Sequence, residues 1–312
     1  MARKFVIHTF LFFIPVLIGC ATVEILTRNL PMRYTYLSDY LQKEQKEIET
    51  LVLGSSQTKT AINPQWLSSP TLNLASTSQH HDTDFKLYTG LKERLPKLKT
   101  VIIEVSYSHF ELPHNGADFW KNSIYLEYFE ANCFERRTWL KDRFIYLANP
   151  PFFSDALYDE YLGPKRETNF NEFGFDLNQF EGVFSRNNYD EETISEMKFT
   201  GNSRENEALF RRNSAYLIEM LKAFDSHGID VILITTPLYK NYLDRRNAKI
   251  LKRRDSMLTV IGERFPNLRL LDLEEDTANN FTTKDFLNQN HLNPEGAKKF
   301  TARLEQMLKE RP

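Results

Sequence analysis

The chain has 312 residues, of which 41% are apolar and 26% are charged, a composition typical of a globular protein with enough apolar material for a sizeable core. Its 40 basic and 42 acidic residues give a formal net charge of -2, which argues against nucleic-acid binding because that function needs a clear basic excess. The two cysteines, Cys20 and Cys133, do not have metal-site spacing. The sequence therefore predicts no metal, no cofactor and no nucleic-acid partner.

The N-terminal segment predicts a membrane location. Residues 5–23 are nearly all apolar and long enough to span a bilayer core, and Arg3 and Lys4 precede them as in an export signal. We expect residues 1–27 to be a membrane anchor or signal segment that places the rest of the chain in the periplasm or at the cell surface. An uncleaved anchor is favoured. A lipoprotein signal, in which Cys20 is lipidated, and cleavage to a free form are the alternatives.

After the anchor, short apolar runs alternate with helical patterns. Helices are predicted at 37–49, 79–95, 204–227, 244–265 and 294–309, and strands at 50–53, 71–74, 100–105, 229–234 and 268–273. Continuous apolar strands that alternate with helices are typical of a parallel sheet covered on both faces. The sequence therefore predicts one three-layer α/β/α domain over residues 28–312.

Residues 107–200 interrupt this alternation. They are rich in aromatic residues and contain helical pieces without a convincing buried strand. An insertion between two strands of an open α/β sheet commonly lies over the carboxyl ends of the strands, where ligands bind. We interpret it as a cap or substrate-facing insertion. His109 and His114 are candidates to line the site, and a solvated loop role is the favoured alternative for both. A helical subdomain packed by its own aromatic side chains is an equally weighted alternative.

The turn after the first strand contains a candidate nucleophile. Gly54 allows a tight turn, and Ser56 follows it at the start of a helix, where backbone N–H groups could stabilise an oxyanion. A simple helix cap by Ser55 or Ser56 is the alternative. A candidate base, His291, lies in the loop before the last helix, and the pKa of histidine suits proton transfer near neutrality.

Taken together, these two segments resemble the SGNH (GDSL-like) hydrolase superfamily. Its Gly-x-Ser block corresponds to Gly54-Ser55-Ser56, and its final Asp-x-x-His block to residues 288–291. The anchor and the Ile62-Asn63-Pro64 segment are similar to membrane-tethered bacterial members, which include the D-alanyl-lipoteichoic acid biosynthesis protein and exopolysaccharide acetylation proteins. The resemblance covers roughly residues 48–106 and 204–309 and implies a flavodoxin-like fold.

The resemblance also implies roles for further residues. The acidic triad position falls on Asn288, which can orient a histidine but cannot stabilise the imidazolium by charge; Asp285 is a possible substitute. Gly54, Asn73, Ser76 and Ser106 are the candidates for binding the oxyanion or the substrate, and the family's third block is missing.

These features predict an SGNH-like esterase or O-acyltransferase of the cell envelope, with Ser56 as nucleophile and His291 as base. An envelope polysaccharide or a lipid-linked acyl ester is the expected substrate. The alternative is a catalytically inactive SGNH-fold scaffold or glycan-binding protein, which Asn288 and the missing third block favour.

Overall fold

The parallel sheet of this protein has five strands. The computed structural model describes residues 2–111, 119–164, 169–199, 201, 203–278 and 280–310. The strands follow the order β2-β1-β3-β4-β5, and every neighbouring pair is parallel. This order is that of flavodoxin-like folds. The strands of the sheet are β1 (Thr50–Leu53), β2 (Thr71–Asn73), β3 (Thr100–Glu104), β4 (Asp230–Thr235) and β5 (Arg269–Asp272).

The helices of the described chain precede, follow and connect these strands. A short antiparallel hairpin, β6 (Phe286–Asn288) and β7 (His291–Leu292), precedes the last helix. The α-helices are α1 (Ala2–Arg28), α2 (Arg33–Glu44), α3 (Ser56–Ala61), α4 (His81–Leu91), α5 (Lys121–Tyr128), α6 (Ile145–Ala148), α7 (Pro150–Tyr161), α8 (Val183–Arg186), α9 (Glu191–Glu196), α10 (Glu207–Ser226), α11 (Lys240–Leu243), α12 (Ala248–Arg264) and α13 (Pro294–Lys309).

Two apolar cores cover the two faces of the sheet. Because successive strand residues point to opposite faces, Leu51 and Leu53 of β1 pack in one core with the apolar faces of α2, α4 and α10. Val52 of β1 packs in the other core with Phe300 and Leu304 of α13. The three-layer α/β/α architecture predicted from the sequence is therefore confirmed.

The bounds of the strands agree with the sequence prediction more closely than the bounds of the helices do. The five sheet strands occupy the predicted segments with shifts of about one residue at their ends. The first solvated helix was predicted over 37–49, but α2 begins at Arg33 and ends at Glu44. Helix ends are set by hydrogen bonds of the local chain, which apolar periodicity does not report.

The insertion is distributed over several surfaces rather than forming one separate cap. In its described part, α5 packs against α2 and α6 packs against α1, whereas α8 packs against β6. An isolated bridge between Phe170 and Asp176 is its only β-type pairing among the described residues. Both expected features, the helical pieces and the aromatic packing, are present, and parts of the insertion also approach the strand ends.

Helix α1 is long and apolar enough to cross a membrane. Its end is attached to the domain, because the Glu24 carboxylate accepts hydrogen bonds from the N–H groups of Ile145 and Tyr146, at 2.9 and 3.1 Å. Thr27 and Leu30 are buried at the same junction. The apolar segment therefore continues into the fold without a flexible linker.

Gly54 is the glycine on which the β1–α3 turn depends. Its φ is 146°, and a Cβ there would lie 2.8 Å from Glu104 Cβ and 2.9 Å from Thr58 Oγ1. We predict that Gly54→Ala lowers the free energy of unfolding by about 2–4 kcal/mol, since both the backbone conformation and the space exclude a methyl group.

Gly262 is the matched control for this substitution. It lies inside α12 with no heavy atom within 4 Å of an added Cβ. Gly262→Ala should raise stability by about 0.5–1 kcal/mol, because alanine is the better helix former. Denaturation of the two variants, followed by circular dichroism, tests this difference. Equal effects on stability would contradict the proposed constraint at Gly54.

Candidate active site

The two serines of the β1–α3 turn have different roles. Ser55 is the N-cap of α3, and its Oγ accepts a hydrogen bond of 3.2 Å from the Gln57 N–H. Ser56 is the first residue of the helix, and its Oγ lies 2.8 Å from His291 Nε2. The capping role and the candidate nucleophile, which were alternatives in the sequence, therefore fall on adjacent residues.

A two-residue turn places His291 beside Asn288. The two residues are opposite each other in the β6–β7 hairpin, with Gln289 and Asn290 forming the turn between them. Asn288 Oδ1 lies 3.0 Å from His291 Nδ1 and accepts a hydrogen bond of 3.1 Å from the Asn290 N–H. The spacing of three residues in the sequence is thus the spacing that this hairpin requires.

These contacts fix the proton positions on the imidazole. The Asn290 N–H can only donate, so the Asn288 atom that faces it is the carbonyl oxygen. The same oxygen faces His291 Nδ1, so Nδ1 carries a proton and donates it. Nε2 is then free to accept the hydrogen bond from the Ser56 hydroxyl. This is the tautomer that a general base for Ser56 needs.

The imidazole is kept in its neutral form. Burial, together with the nearby Lys59 ammonium, lowers the pKa of His291 to about 4, and Glu104 only partly opposes this shift. At neutral pH the ring is therefore ready to accept a proton. Among the described residues, Asn288 and not a carboxylate contacts Nδ1, so the imidazolium formed during a reaction would be stabilised by the Asn288 dipole and, from a greater distance, by the charge of Glu104.

The Glu104 carboxylate holds the turn that presents Ser56. It is buried at the end of β3 and accepts hydrogen bonds from the Ser55 N–H at 2.6 Å, the Ser55 hydroxyl at 2.9 Å and the Thr58 hydroxyl at 2.7 Å. The sequence reasoning missed this residue. The available signal was an acidic side chain at the end of an otherwise apolar buried strand, because a buried carboxylate needs donors.

The residues expected at an oxyanion hole are only partly available. The Ser56 N–H, at the first position of α3, has no hydrogen-bond acceptor in the described chain and is the best candidate donor. Asn73 is buried at the end of β2, where one N–H of its side chain donates to the Ile62 carbonyl at 2.9 Å and its Oδ1 accepts from the Ala75 N–H at 3.0 Å. These bonds brace the loop after β2 and use one of the two N–H donors of the amide, so an oxyanion role for Asn73 stays a prediction.

The other expected positions differ from one another in their contacts. Ser76 Oγ is hydrogen-bonded to the Tyr34 hydroxyl at 2.7 Å and to Lys121 Nζ at 3.1 Å. Ser106 is buried after β3, and its Oγ has no hydrogen-bond partner in the part of the chain that the structure describes. Gly54 contributes its conformation and its carbonyl, which accepts from the Ser76 N–H.

Asp285 does not substitute for the missing acid. Its carboxylate accepts hydrogen bonds from the Thr282 N–H and from Lys299 Nζ, both at 2.7 Å, in a capping arrangement. The backbone of Asp285 also accepts from the Asn293 N–H. The imidazole is oriented by Asn288 instead, because the hairpin brings that residue opposite His291.

The two histidines of the early insertion have separate outcomes. His109 is buried, and its Nδ1 lies 3.6 Å from Glu104 Oε1, so it is not a solvated loop residue. His114 lies outside the described residues. In the described ranges, no group of three or more His, Cys, Asp or Glu side chains is arranged to hold a metal ion.

Comparisons with known proteins add little to this geometry. Neither protein-family models nor curated proteins match the chain. Among solved structures, it is similar to the crystal structure of a candidate acylhydrolase from Bacteroides fragilis, with 10% sequence identity and a TM-score of 0.42. That match covers 87% of this chain and 94% of the other. Likeness at this level assigns neither an activity nor a site.

The neutral partner of His291 gives a prediction about pH. The acid limb of kcat/KM for an ester should lie near pH 4, the pKa of His291. In Asn288→Asp, a carboxylate next to Nδ1 stabilises the imidazolium and raises this pKa. The limb should therefore move up by roughly one to three pH units, and kcat should rise roughly tenfold to a hundredfold. A pH-rate profile measures both.

Asp285→Asn is the control for this prediction. Asn288→Asp adds a negative charge, whereas Asp285→Asn removes one. The Asp285 carboxylate binds Lys299 and Thr282 and does not contact the imidazole. The acid limb of Asp285→Asn should remain at the wild-type pH. A limb that moves in Asp285→Asn but not in Asn288→Asp would show that Asp285, and not residue 288, sets the protonation of His291.

Proposed function

We propose that this protein is an SGNH-like serine esterase or O-acyltransferase that acts on acyl esters of the bacterial cell envelope. The observation that carries the proposal is the contact of 2.8 Å between Ser56 Oγ and His291 Nε2, with Nδ1 held by Asn288. A serine hydroxyl bonded to an oriented neutral imidazole is the arrangement that nucleophilic acyl transfer needs. The two residues come from opposite ends of the domain sequence.

The proposed reaction proceeds in two steps. Ser56 Oγ attacks the ester carbonyl while His291 Nε2 takes the hydroxyl proton, and the Ser56 N–H binds the developing oxyanion. The bond to the alcohol breaks, and His291 returns the proton to the departing alcohol oxygen. The acyl group then remains on Ser56 until water, in an esterase, or a hydroxyl of a glycan, in an acyltransferase, attacks it while His291 takes the proton of the attacking group. The bond between Ser56 Oγ and the acyl carbon breaks, and His291 returns the proton to Oγ.

A covalent probe tests this proposal. A fluorophosphonate should label the full-length protein in detergent at Ser56, identified by mass spectrometry. Ser56→Ala should abolish labelling and lower 4-nitrophenyl acetate hydrolysis roughly 10³-fold or more. Ser55→Ala is the neighbouring control: it removes the cap of α3 and the hydroxyl bond to Glu104, so it should cost about 2–4 kcal/mol of stability. The Ser55 N–H and the Thr58 hydroxyl still bind Glu104 and the nucleophile is kept, so the folded variant should still be labelled.

The same experiment decides between this proposal and a non-catalytic role. Asn288 in the position of the acidic triad member and the missing third block favour a scaffold or glycan-binding protein. Absence of labelling in the folded wild type, or labelling at another residue, would contradict the Ser56 mechanism. Retained binding to an envelope glycan without labelling would support the scaffold.

We propose a membrane-anchored, extracytoplasmic location with an uncleaved α1. The apolar side chains of α1 are exposed, with Phe5 at 73% and Phe12 at 72%, as expected for contact with lipid. Near the junction with the domain, Leu140 and Leu147 are also exposed, at 74% and 61%, and α6 packs against α1. An apolar rim around the end of a spanning helix suits the membrane interface.

Extraction of membranes tests the anchor against lipidation at Cys20. The wild type and Cys20→Ala should both stay in the membrane fraction after alkaline carbonate washing, since α1 itself spans the bilayer. The intact mass should equal that of the unmodified full chain. A lipid adduct on Cys20, with release of Cys20→Ala from the membrane, would instead identify a lipoprotein.

A further inference from the structure

Three cationic side chains lie close together beside the candidate nucleophile. Arg33 begins α2, Lys59 lies within α3, and Lys121 begins α5. Burial, together with the positive charges of Arg33 and Lys121, lowers the pKa of Lys59 to about 8. Burial and Arg33 likewise lower the pKa of Lys121 to about 8. Lys59 therefore lies in the field of the other two cations, and Lys121 lies in the field of Arg33.

The hydrogen-bond partners of this cluster are neutral. Arg33 donates to the carbonyls of Gly174, Asn73 and Ala75, and its Nε is buried with no partner in the described chain. Lys121 donates to Ser76 Oγ and to the Thr77 carbonyl. In the described ranges, neither these two side chains nor Lys59 forms an ion pair with a carboxylate within 4.0 Å.

A cavity of about 140 Å³ opens between these cations and the insertion. Arg33 and Lys59 line it, together with Gln179 and the ring of Phe175. Asp176 also lines it and is the one carboxylate whose charge raises the pKa of Lys59. One negative charge does not balance the positive charges around the cavity, so an anion placed there would be stabilised.

The cavity is adjacent to the reacting groups. Lys59 is three residues after Ser56 on α3, and residues with this spacing share a helix face. The Lys59 charge also acts on His291, because it contributes to the lowered pKa of the imidazole. Lys59 therefore connects the cavity that it lines with the face of α3 that carries Ser56.

We propose that this cavity, between Arg33, Lys59 and Asp176, binds an anionic group of the ester substrate, a carboxylate or a phosphate, next to the bond that Ser56 cleaves. The proposal rests on the proposed acyl-transfer function and names its substrate class: esters that carry negative charge close to the acyl group. The anion belongs either to the acyl group or to the alcohol. The chemistry of recognition is the same in both cases, and the substrates tested separate them.

Matched ester pairs test the proposal with the full-length protein in detergent. Mono-4-nitrophenyl succinate carries its charge on the acyl group, and 4-nitrophenyl butyrate is its neutral counterpart. The acetyl ester of glycerol 3-phosphate carries its charge on the alcohol, and monoacetin is the neutral counterpart. In at least one of the two pairs, kcat/KM of the wild type should be higher for the charged ester than for its neutral counterpart. No preference in either pair would overturn the proposal.

Lys59→Met assigns that preference to the cavity. It should lower kcat/KM for the preferred anionic ester about tenfold or more relative to kcat/KM for its neutral counterpart, mainly through KM. Any effect of Lys59 on His291 acts on both esters alike and cancels in this ratio. Lys59→Arg keeps the charge and should retain most of the preference. Lys43→Met, at a lysine that is 71% exposed, is the control and should behave as the wild type. Equal losses on both esters in Lys59→Met would overturn the proposal.

Titration with inorganic phosphate tests anion binding at the cavity even if the protein hydrolyses none of these esters. Calorimetry should show phosphate binding to the wild type that Lys59→Met weakens about tenfold and Lys59→Arg preserves. Without turnover that depends on Ser56, the proposed function fails while this binding can still hold. If esters are turned over, but phosphate binds Lys59→Met as tightly as the wild type or does not bind the wild type, the proposed anion site fails. The proposed acyl-transfer function is then unaffected.

Discussion

The position of the candidate nucleophile depends on one buried carboxylate. Glu104, at the end of β3, accepts three hydrogen bonds from Ser55 and Thr58, which lie on either side of Ser56 in the β1–α3 turn. Gly54 makes this approach possible, because any side chain there would meet Glu104. A buried carboxylate is stable only when donors surround it, so the strand, the turn and the start of α3 must form together.

The second half of the site is held by the packing of the C-terminal elements. Thr301 of α13 bonds to the Ala61 carbonyl and the Asn63 N–H, which fixes α13 against the segment that follows Ser56. The hairpin with His291 is supported from the other side by the insertion, where Gly182 lies directly against the Leu287 backbone. The insertion therefore supports the site and contributes to the cavity near it.

The electrostatics of the site favour a neutral base. Asn288 orients the imidazole without adding charge, while burial and Lys59 lower the pKa of His291. A carboxylate at position 288 would raise the pKa of His291, because its negative charge would stabilise the positive charge of the imidazolium. The positive charge of Arg33 and Lys59 would instead act on the substrate, if the substrate carries an anion.

The sequence by itself determined the layered α/β fold and its strand positions, because apolar periodicity records which side chains face the core. It also offered Ser56 and His291 as separate candidates, and the resemblance of their two segments to the blocks of a known family paired them and added Asn288. Only the tertiary structure decided that Ser55 is the cap of α3, that the Asp285 carboxylate binds Lys299, and that the charges of Glu104 and Lys59 lie close to the candidate pair. Those outcomes depend on contacts between segments that are far apart in the chain. Residue type and local spacing do not encode which distant group a polar side chain will bind.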